Sequence, residues 1–175
     1  MPDEPLMRKS GDVYLAHSAL VIGDVHLAAG VNLWFNVVVR GDLARITLGP
    51  RVNLQDGVVV HTDYDVPQDI EEGVVAGHGA ILHGRRIGAN CLIGMGAVVL
   101  SNSEIGAESL IAAGCVVPER MVVPPRSLVA GVPGQIVKEV PQRWLDRTRR
   151  INAHYLELAG RYARGEIGAG MRGEG

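Results

Sequence analysis

The chain has 175 residues, of which 23 are glycine, 47% are hydrophobic and only 4% are aromatic. One domain with a single core is expected at this length. Seventeen basic and 19 acidic side chains give a net charge of −2 without the basic excess of a nucleic-acid-binding protein, and no apolar run reaches the roughly 20 residues of a membrane helix. We therefore expect neither a nucleic-acid partner nor membrane insertion.

The start of the chain and its cysteines indicate a reducing, cytoplasmic location. Residues 1–5 read Met-Pro-Asp-Glu-Pro, an acidic and proline-broken stretch unlike a secretory signal. Cys91 and Cys115 are too few for a disulfide scaffold, so we expect free thiols. Residues 1–10 are assigned to an N-terminal extension.

A repeat of period six dominates residues 11–137. Its regular part is a ladder of aliphatic residues, Val75, Ile81, Ile87, Ile93, Val99, Ile105, Ile111, Val117, Val123 and Val129. This period is typical of short strands joined by tight corners, with three faces in a coil of about 18 residues. The pattern predicts an all-β fold, a parallel β-helix of hexapeptide repeats, over the alternative of ordinary strands in a sandwich.

The repeat is irregular in two places. Upstream of residue 60 the spacing of the aliphatic residues varies, which indicates a bulge or a small loop at residues 41–45. Residues 63–73 are acidic and contain a proline, so we predict a loop between coils there.

A helix is predicted at the C-terminus, in residues 138–164. Its apolar residues recur at steps of three and four: Trp144, Thr148, Ile151, Tyr155, Leu158 and Tyr162. Pro141 suits a first helical turn. We expect this helix to pack on the outside of the β-helix, followed by a flexible tail at residues 165–175.

Three of the six histidines, His61, His78 and His83, lie among small or β-branched residues and off the aliphatic ladder. His61 and His83 are 22 positions apart, one coil plus four residues, so they can stack about 5 Å apart on one face. His78 should point from a different face. A threefold trimer could bring His78 of one chain to the other two histidines of a neighbour. The spacing leaves a metal site and a polar interface cluster equally open.

Five segments resemble the gamma-class carbonic anhydrase family, and the similarity extends over residues 11–162. They are Trp-Phe-Asn-Val-Val-Val-Arg-Gly-Asp at 34–42, Asn-Leu-Gln-Asp-Gly-Val-Val-Val-His at 53–61, Gly-His-Gly-Ala-Ile-Leu-His-Gly at 77–84, Ile-Gly-Met-Gly-Ala at 93–97 and Val-Ala-Gly-Val-Pro at 129–133. The resemblance implies a left-handed β-helix and a homotrimer. It also implies hydration of carbon dioxide to bicarbonate by a zinc-bound hydroxide at the trimer interface.

The resemblance assigns roles to particular residues. His61, His78 and His83 are the implied ligands of Zn²⁺, with Fe²⁺ or Co²⁺ as alternative metals; three imidazoles leave a coordination position open for catalysis. The resemblance places Gln55 and Asn53 beside the metal-bound water or the substrate pocket. Gln55 is suited to orient the attacking hydroxide without adding charge. These two amides could instead satisfy backbone groups at a corner.

Further residues are implied at the periphery of the site. Arg40 resembles an arginine that pairs with a carboxylate across the interface, and Asp42 and Asp56 are the candidate partners; these residues could also form structural ion pairs without a catalytic role. Tyr155 resembles a helix tyrosine that reaches the active site in one branch of the family, and core packing is its alternative role.

One departure from the family pattern predicts low turnover. The most active branch carries glutamates on an acidic loop that shuttles protons, but here Leu43 directly follows Asp42 and Thr62-Asp63-Tyr64-Asp65 leaves little room for such a loop. Alternatives to the carbonic anhydrase are a metal-dependent thioester hydrolase or a hexapeptide acyltransferase acting on coenzyme A esters. A non-catalytic trimeric assembly subunit is the third possibility.

Overall fold

A computed structural model of the chain describes residues 5–168, which form a parallel β-solenoid followed by one helix. In chain order the elements are β1 (Met7–Ser10), β2 (Val13–Ala16), β3 (Leu20–Leu27), β4 (Asn32–Leu33), β5 (Val38–Leu48), β6 (Asn53–Leu54), β7 (Val59–His61), β8 (Gln68–Ile70), β9 (Val75–Ala76), β10 (Ile81–Leu82), β11 (Arg86–Ile87), β12 (Leu92–Ile93), β13 (Val98–Val99), β14 (Glu104–Ile105), β15 (Leu110–Ile111), β16 (Val116–Val117), β17 (Val122–Val123), β18 (Ser127–Ala130), β19 (Gln135–Glu139) and α1 (Gln142–Ala163). Most strands have only two residues, because the chain turns a corner after each one.

The strands stack into three faces. Face 1 is the sheet β1-β2-β4-β6-β9-β12-β15-β18-β19. The other sheet turns a corner within β5, whose first residues pair with β7 and whose last residues pair with β8. We therefore call the part with β7, β10, β13 and β16 face 2, and the part with β8, β11, β14 and β17 face 3. The predicted hexapeptide β-helix is confirmed.

The core consists of three columns of aliphatic side chains that point into the solenoid. Their members are Leu33, Leu54, Ala76, Ile93, Ile111 and Val129 on face 1, Val39, Val60, Leu82, Val99 and Val117 on face 2, and Leu48, Ile70, Ile87, Ile105 and Val123 on face 3. All are at most 2% exposed. Burial of a valine, leucine or isoleucine contributes about 1.5–3 kcal/mol each, so these columns stabilise the solenoid although none of them contains an aromatic ring.

The predicted ladder is wrong by one position at its start. Ile81 is 41% exposed and points outward, while Leu82 is buried and pairs in register with Val60 and Val99. Val75 likewise points outward and is buried beneath the helix, and Ala76 points inward. Because two aliphatic residues are adjacent at each of these positions, the period of six alone does not distinguish the inward from the outward residue.

The two irregular regions differ in outcome. Opposite the Gly23–Val25 step of β3, β5 runs from Gly41 to Ile46, so residues 42–45 are the predicted bulge and that prediction is confirmed. The loop predicted at 63–73 is wrong in part, because it contains β8, and Ile70 continues the buried column of face 3.

The ends of the chain refine the predicted boundaries. Residues 7–10, assigned above to an N-terminal extension, form β1, which pairs antiparallel with β2. Most of the predicted flexible tail, residues 169–175, lies outside the described residues.

The predicted C-terminal helix is confirmed as α1, which lies along face 1, but it begins at Gln142 and not at residue 138, because Gln135–Glu139 form β19, which pairs antiparallel with β18. The helix begins beside β18 and ends beside β2 and β4, where Tyr162 packs edge-on against Trp34. A helix of 22 residues is about 33 Å long and spans about seven strands. Asn152 fixes its middle by donating a hydrogen bond of 2.7 Å to the backbone oxygen of Arg51. Within residues 5–168, no helix combines the length and apolarity needed to span a bilayer.

Candidate functional site

Two of the three histidines are stacked on face 2. β7 and β10 pair in register through Val59–Ile81 and Val60–Leu82, which places His61 and His83 next to each other on the outer surface. Their ring centroids are 5.3 Å apart, and their side chains are 18% and 25% exposed. The stacking predicted from the spacing is therefore confirmed.

An ion pair lies directly beside this stack. The Arg40 guanidinium donates a 2.6 Å hydrogen bond to Asp42, and the other carboxylate oxygen of Asp42 is 3.1 Å from Nε2 of His61. The hydrogen bond from Arg40 lowers the pKa of the Asp42 carboxyl, with a smaller contribution from His61. Of the two predicted partners of Arg40, Asp42 is the one that contacts it within the chain.

Residues of the next coil and of the preceding turn hold His83. Its Nδ1 is 3.2 Å from the Ser101 hydroxyl and 3.9 Å from a carboxylate oxygen of Asp63. Sequence reasoning did not include Ser101, although it follows His83 by 18 positions, one regular coil, and this offset could have identified it. With Nδ1 engaged in this way, Nε2 of His83 is the nitrogen that remains for a ligand.

The third histidine lies at the corner that follows β9. Nδ1 of His78 is 2.8 Å from Asp56, and its Nε2 is 3.3 Å from the Tyr155 hydroxyl on α1. The Asp56 carboxylate favours the tautomer in which Nδ1 carries the proton, so Nε2 accepts the hydrogen bond from Tyr155. Burial, and to a smaller extent Asp56, raises the pKa of Tyr155, so its hydroxyl stays protonated at neutral pH.

Tyr155 thus both packs and reaches the candidate site. Its ring contacts Trp34 edge-on at 5.1 Å between centroids, while its hydroxyl contacts His78. The two roles weighed from the sequence, packing and approach to the site, are compatible because the ring and the hydroxyl face different neighbours. Asp56, a candidate partner of Arg40, is instead the neighbour of His78.

Under the helix, a chain of buried amides leads to Gln55. Asn53 donates a 2.6 Å hydrogen bond to Asn32, and Gln55 donates one of 3.2 Å to Asn53. The indole of Trp34 donates to the same oxygen of Asn32. Because the amide nitrogen of Gln55 is used here, its carbonyl oxygen Oε1 is the end of the amide that this chain leaves for a ligand. Sequence reasoning identified Asn53 and Gln55 but not Asn32 and Trp34.

One chain does not assemble a complete metal site. Within residues 5–168, no group of three His, Cys, Asp or Glu side chains is placed to hold a metal ion. His61 and His83 form a pair on face 2, whereas His78 lies at the corner between faces 1 and 2. Imidazole nitrogens suit zinc, iron and cobalt, so the donor chemistry fits a metal if a second chain supplies the third ligand.

The outer surfaces of faces 2 and 3 differ in character. On face 2 the outward row next to the histidines is wholly apolar, and its members in register are Leu20, Val38, Val59, Ile81, Val98 and Val116. The corresponding row on face 3 is polar or charged over most of its length: His26, Thr47, Asp69, Arg86, Glu104 and Val122. Leu20 and Ile81 are 54% and 41% exposed. The histidine-bearing face therefore exposes apolar area that face 3 does not.

The cysteines stand apart from these groups. Cys91 and Cys115 are buried free thiols, as predicted. Burial raises the pKa of the Cys91 thiol to about 12 and also raises that of Cys115. Neither is therefore a nucleophile near neutral pH.

The chain is similar to known proteins in both its repeat and its overall sequence. Residues 86–119 match the family described as "Bacterial transferase hexapeptide (six repeats)". The chain is 45% identical over 150 residues to a protein of Methanocaldococcus jannaschii named "Probable carbonic anhydrase", covering 86% of this chain and 94% of that protein. It is 41% identical to a "Carbonic anhydrase" of Geobacillus kaustophilus over 85% of this chain and 81% of the relative.

A solved structure shows the same fold over almost the whole chain. The crystal structure of a hexapeptide transferase family protein from Anaplasma phagocytophilum superposes with a TM-score of 0.73 at 28% identity, and it covers 93% of this chain and 99% of that one. The same architecture thus occurs under names that refer to two different chemistries.

Proposed function

The chain belongs to the hexapeptide-repeat family that includes the gamma-class carbonic anhydrases, and from this premise we propose that it is a metal-dependent enzyme that hydrates carbon dioxide to bicarbonate. The observation that carries the proposal is the stacked pair His61–His83, with rings 5.3 Å apart. His78 is the third donor, held at a separate corner by Asp56. Two relatives at 41–45% identity that bear the name carbonic anhydrase support it.

The proposal includes a homotrimer with its sites between subunits. A pair of imidazoles on one face and a single one at the adjoining corner form a set of three only when the corner of one chain meets face 2 of another. The apolar row on face 2, including Val59 and Ile81, is suited to be buried in that contact. Each interface would then contain one site.

In the proposed site, His61, His83 and the neighbour's equivalent of His78 would hold a zinc ion, which would lower the pKa of water enough to provide a nucleophile at neutral pH. Ser101 orients the ring of His83, Asp42 contacts the ring of His61 as long as no metal occupies that nitrogen, and Asp56 selects the tautomer of His78. At His61 the nitrogen that contacts Asp42 is Nε2, so metal binding through that atom would replace the contact with the carboxylate.

Two uncharged groups can then position the reactants. Gln55, with its amide nitrogen engaged by Asn53, offers a carbonyl oxygen that accepts a hydrogen bond from the O–H of the nucleophile and fixes its orientation. Tyr155 offers a neutral hydroxyl close to His78, and its raised pKa keeps it a hydrogen-bond donor. Neither group adds a negative charge that would compete with bicarbonate for the metal.

We further propose that turnover is slow. Rapid hydration requires a group that carries the proton from the site to bulk water. The turn at residues 62–67 is short, and its tip residue Tyr64, which is 82% exposed, carries neither a carboxylate nor an imidazole. The carboxylates of Asp42 and Asp63 lie beside the histidines, but the first is held by Arg40 and has a lowered pKa, which makes it a poor proton acceptor.

The experiment compares purified wild-type protein with His83→Ala. We expect one transition-metal ion per chain, a trimeric mass, and carbon dioxide hydration by stopped flow that His83→Ala abolishes together with metal binding. His17→Ala changes an exposed histidine outside the site and is the matched control. Metal-free wild-type protein, or His83→Ala with unchanged metal content and hydration, would contradict the proposal.

The relatives described as transferases keep acyl transfer and thioester hydrolysis as the second candidate. Hydrolysis of acyl-coenzyme A by the same preparations separates the two. Thioester hydrolysis without hydration favours the second candidate, and a metal-loaded trimer with neither activity favours a structural subunit.

A further inference from the structure

A cleft of about 730 Å³ lies between α1 and the part of face 1 that is formed by β12, β15 and β18. We call it the helix cleft. Its floor is the outward leucine row Leu92, Leu110 and Leu128 with the corner residues Met95, Ala112 and Ala113, and its wall on α1 consists of Trp144, Arg147, Ile151 and Tyr155. Its size is within the range of small-molecule sites.

The cleft exists because α1 leans to one side. Asn53 of β6 and Val75 of β9 are in register with the leucine row and are fully buried beneath the helix. Leu92, Leu110 and Leu128 themselves are only half-buried. Asn152 and Arg149 hold α1 towards the corners between faces 1 and 3 through Arg51 and Glu108. The opposite flank of the helix therefore stands away from the leucines.

The two ends of the cleft differ in charge. Lys138, Arg143 and Arg147 are exposed at the end near β19. The nearby acids face other partners, since Glu139 pairs with Arg126 and Asp146 pairs with Arg149. Arg147 lies over the ring of Trp144, 4.9 Å from its centroid. The far end is formed by Gln55, His78 and Tyr155, which are polar but carry no fixed positive charge.

We propose that the helix cleft binds a long-chain aliphatic carboxylate, with its head at Lys138, Arg143 and Arg147 and its chain along the leucine row. The middle of the cleft offers no hydrogen-bonding side chain, so it suits methylene groups and not a polar arm. Four strand spacings separate β9 from β19, about 19 Å, which accommodates an extended chain of about a dozen carbon atoms.

The positive charges at the head-group end of the cleft favour a ligand with a negative charge. Arginines at positions i and i+4 of one helix face present two planar forks to the same carboxylate, and the lysine adds a third donor. This assignment goes beyond the hydration of carbon dioxide, because the ligand needs neither the metal nor the stacked histidines.

The test is titration calorimetry of the assembled protein with dodecanoate below its micelle concentration. We expect one molecule bound per chain. Dodecanol and butanoate should bind at least about tenfold more weakly, because dodecanol lacks the carboxylate and butanoate lacks most of the aliphatic chain. Arg143→Gln/Arg147→Gln should weaken dodecanoate by about tenfold or more. Leu110→Gln, in the middle of the row, should weaken it similarly. Arg150→Gln, an exposed arginine of α1 outside the cleft, should leave it unchanged.

Three results would overturn the proposal. They are no binding of dodecanoate, equal binding of dodecanol, and equal binding by the Arg143→Gln/Arg147→Gln and Arg150→Gln variants. Tighter binding of dodecyl phosphate than of dodecanoate would overturn the choice of a carboxylate head. Because binding is measured on both metal-loaded and metal-stripped protein, failure here is distinct from failure of the hydration assay.

Discussion

At the scale of single residues, the buried amides are the part of the solenoid that its aliphatic composition does not reveal. Asn32 and Asn53 are fully buried and Gln55 is 6% exposed, yet each is hydrogen-bonded to the next. A satisfied chain of this kind costs little stability and fixes the orientation of its last member. Gln55 is that member, and it lines the helix cleft together with His78 and Tyr155.

Asn53→Ala should break this chain at its centre. Gln55 would lose its acceptor and Asn32 would lose one donor, so we expect a decrease of about 1–3 kcal/mol in the free energy of unfolding, measured in urea. Gln135→Ala, at an exposed position of β19, is the control and should change stability by about 0.5 kcal/mol or less. Equal stability of the two variants would show that the amide chain is not structural.

Sequence reasoning could identify Asn53 and Gln55 but not their partners, for a geometric reason. Asn32 and Asn53 are 21 positions apart because the bulge at residues 42–45 lengthens the second coil, whereas the first has the regular 18. His83 and Ser101, by contrast, are separated by the regular 18. Contacts across regular coils therefore follow directly from the period, whereas contacts across an insertion, such as Asn32–Asn53 or His61–His83, require the location of the extra residues to be known.

At the scale of elements, the corners limit what the repeat tolerates. Gly94 has an ordinary φ, but a Cβ placed on it would overlap the backbone nitrogen of Ala113 in the next coil. Gly114 is the opposite case, with φ of +66° and open space around it. One corner glycine is thus required by the close approach of two coils and the other by backbone conformation.

These two glycines give a matched prediction. Gly94→Ala should destabilise the protein by about 1–3 kcal/mol because the backbone of the neighbouring coil must move. Gly114→Asn should cost less, because asparagine tolerates the left-handed region and meets no neighbour. Thermal and urea unfolding of the two variants provide the comparison, and an equal or reversed order would contradict the stacking geometry of the corners.

The elements themselves were predictable to different degrees. The helix and most of the strands follow from periods of 3.6 and six, which depend only on which side chains face the core. The inward residue at Ile81–Leu82 and the strand at Gln68–Ile70 did not follow, since adjacent aliphatic residues in one case and acidic neighbours in the other obscure the pattern. The lean of α1, which opens the helix cleft, depends on tertiary contacts such as that of Asn152.

At the scale of the whole molecule, face 2 should control assembly. Ile81→Glu puts a charge in the middle of the apolar row, and burying an unpaired carboxylate in an interface is costly. We expect this variant to be folded by circular dichroism but monomeric in sedimentation, and to lose metal although all three histidines remain.

Val122→Glu is the matched control for this prediction. Val122 lies in the corresponding outward row of face 3 and is 69% exposed. The variant should remain a metal-loaded trimer. An Ile81→Glu protein that stays trimeric, or a Val122→Glu protein that dissociates, would place the interface elsewhere.

The position of α1 has a consequence for how the molecule loses its structure. Coils of a solenoid contact only their neighbours, so an open stack can fray from either end while its middle stays intact. Here one helix begins at the last coil and reaches the first, with Tyr162 against Trp34 at one end and Pro141 beside Leu128 at the other. Loosening either terminal coil therefore also removes contacts of the helix with the opposite end. The helix couples the two ends in this way, and we expect the stack to unfold cooperatively instead of coil by coil from one end.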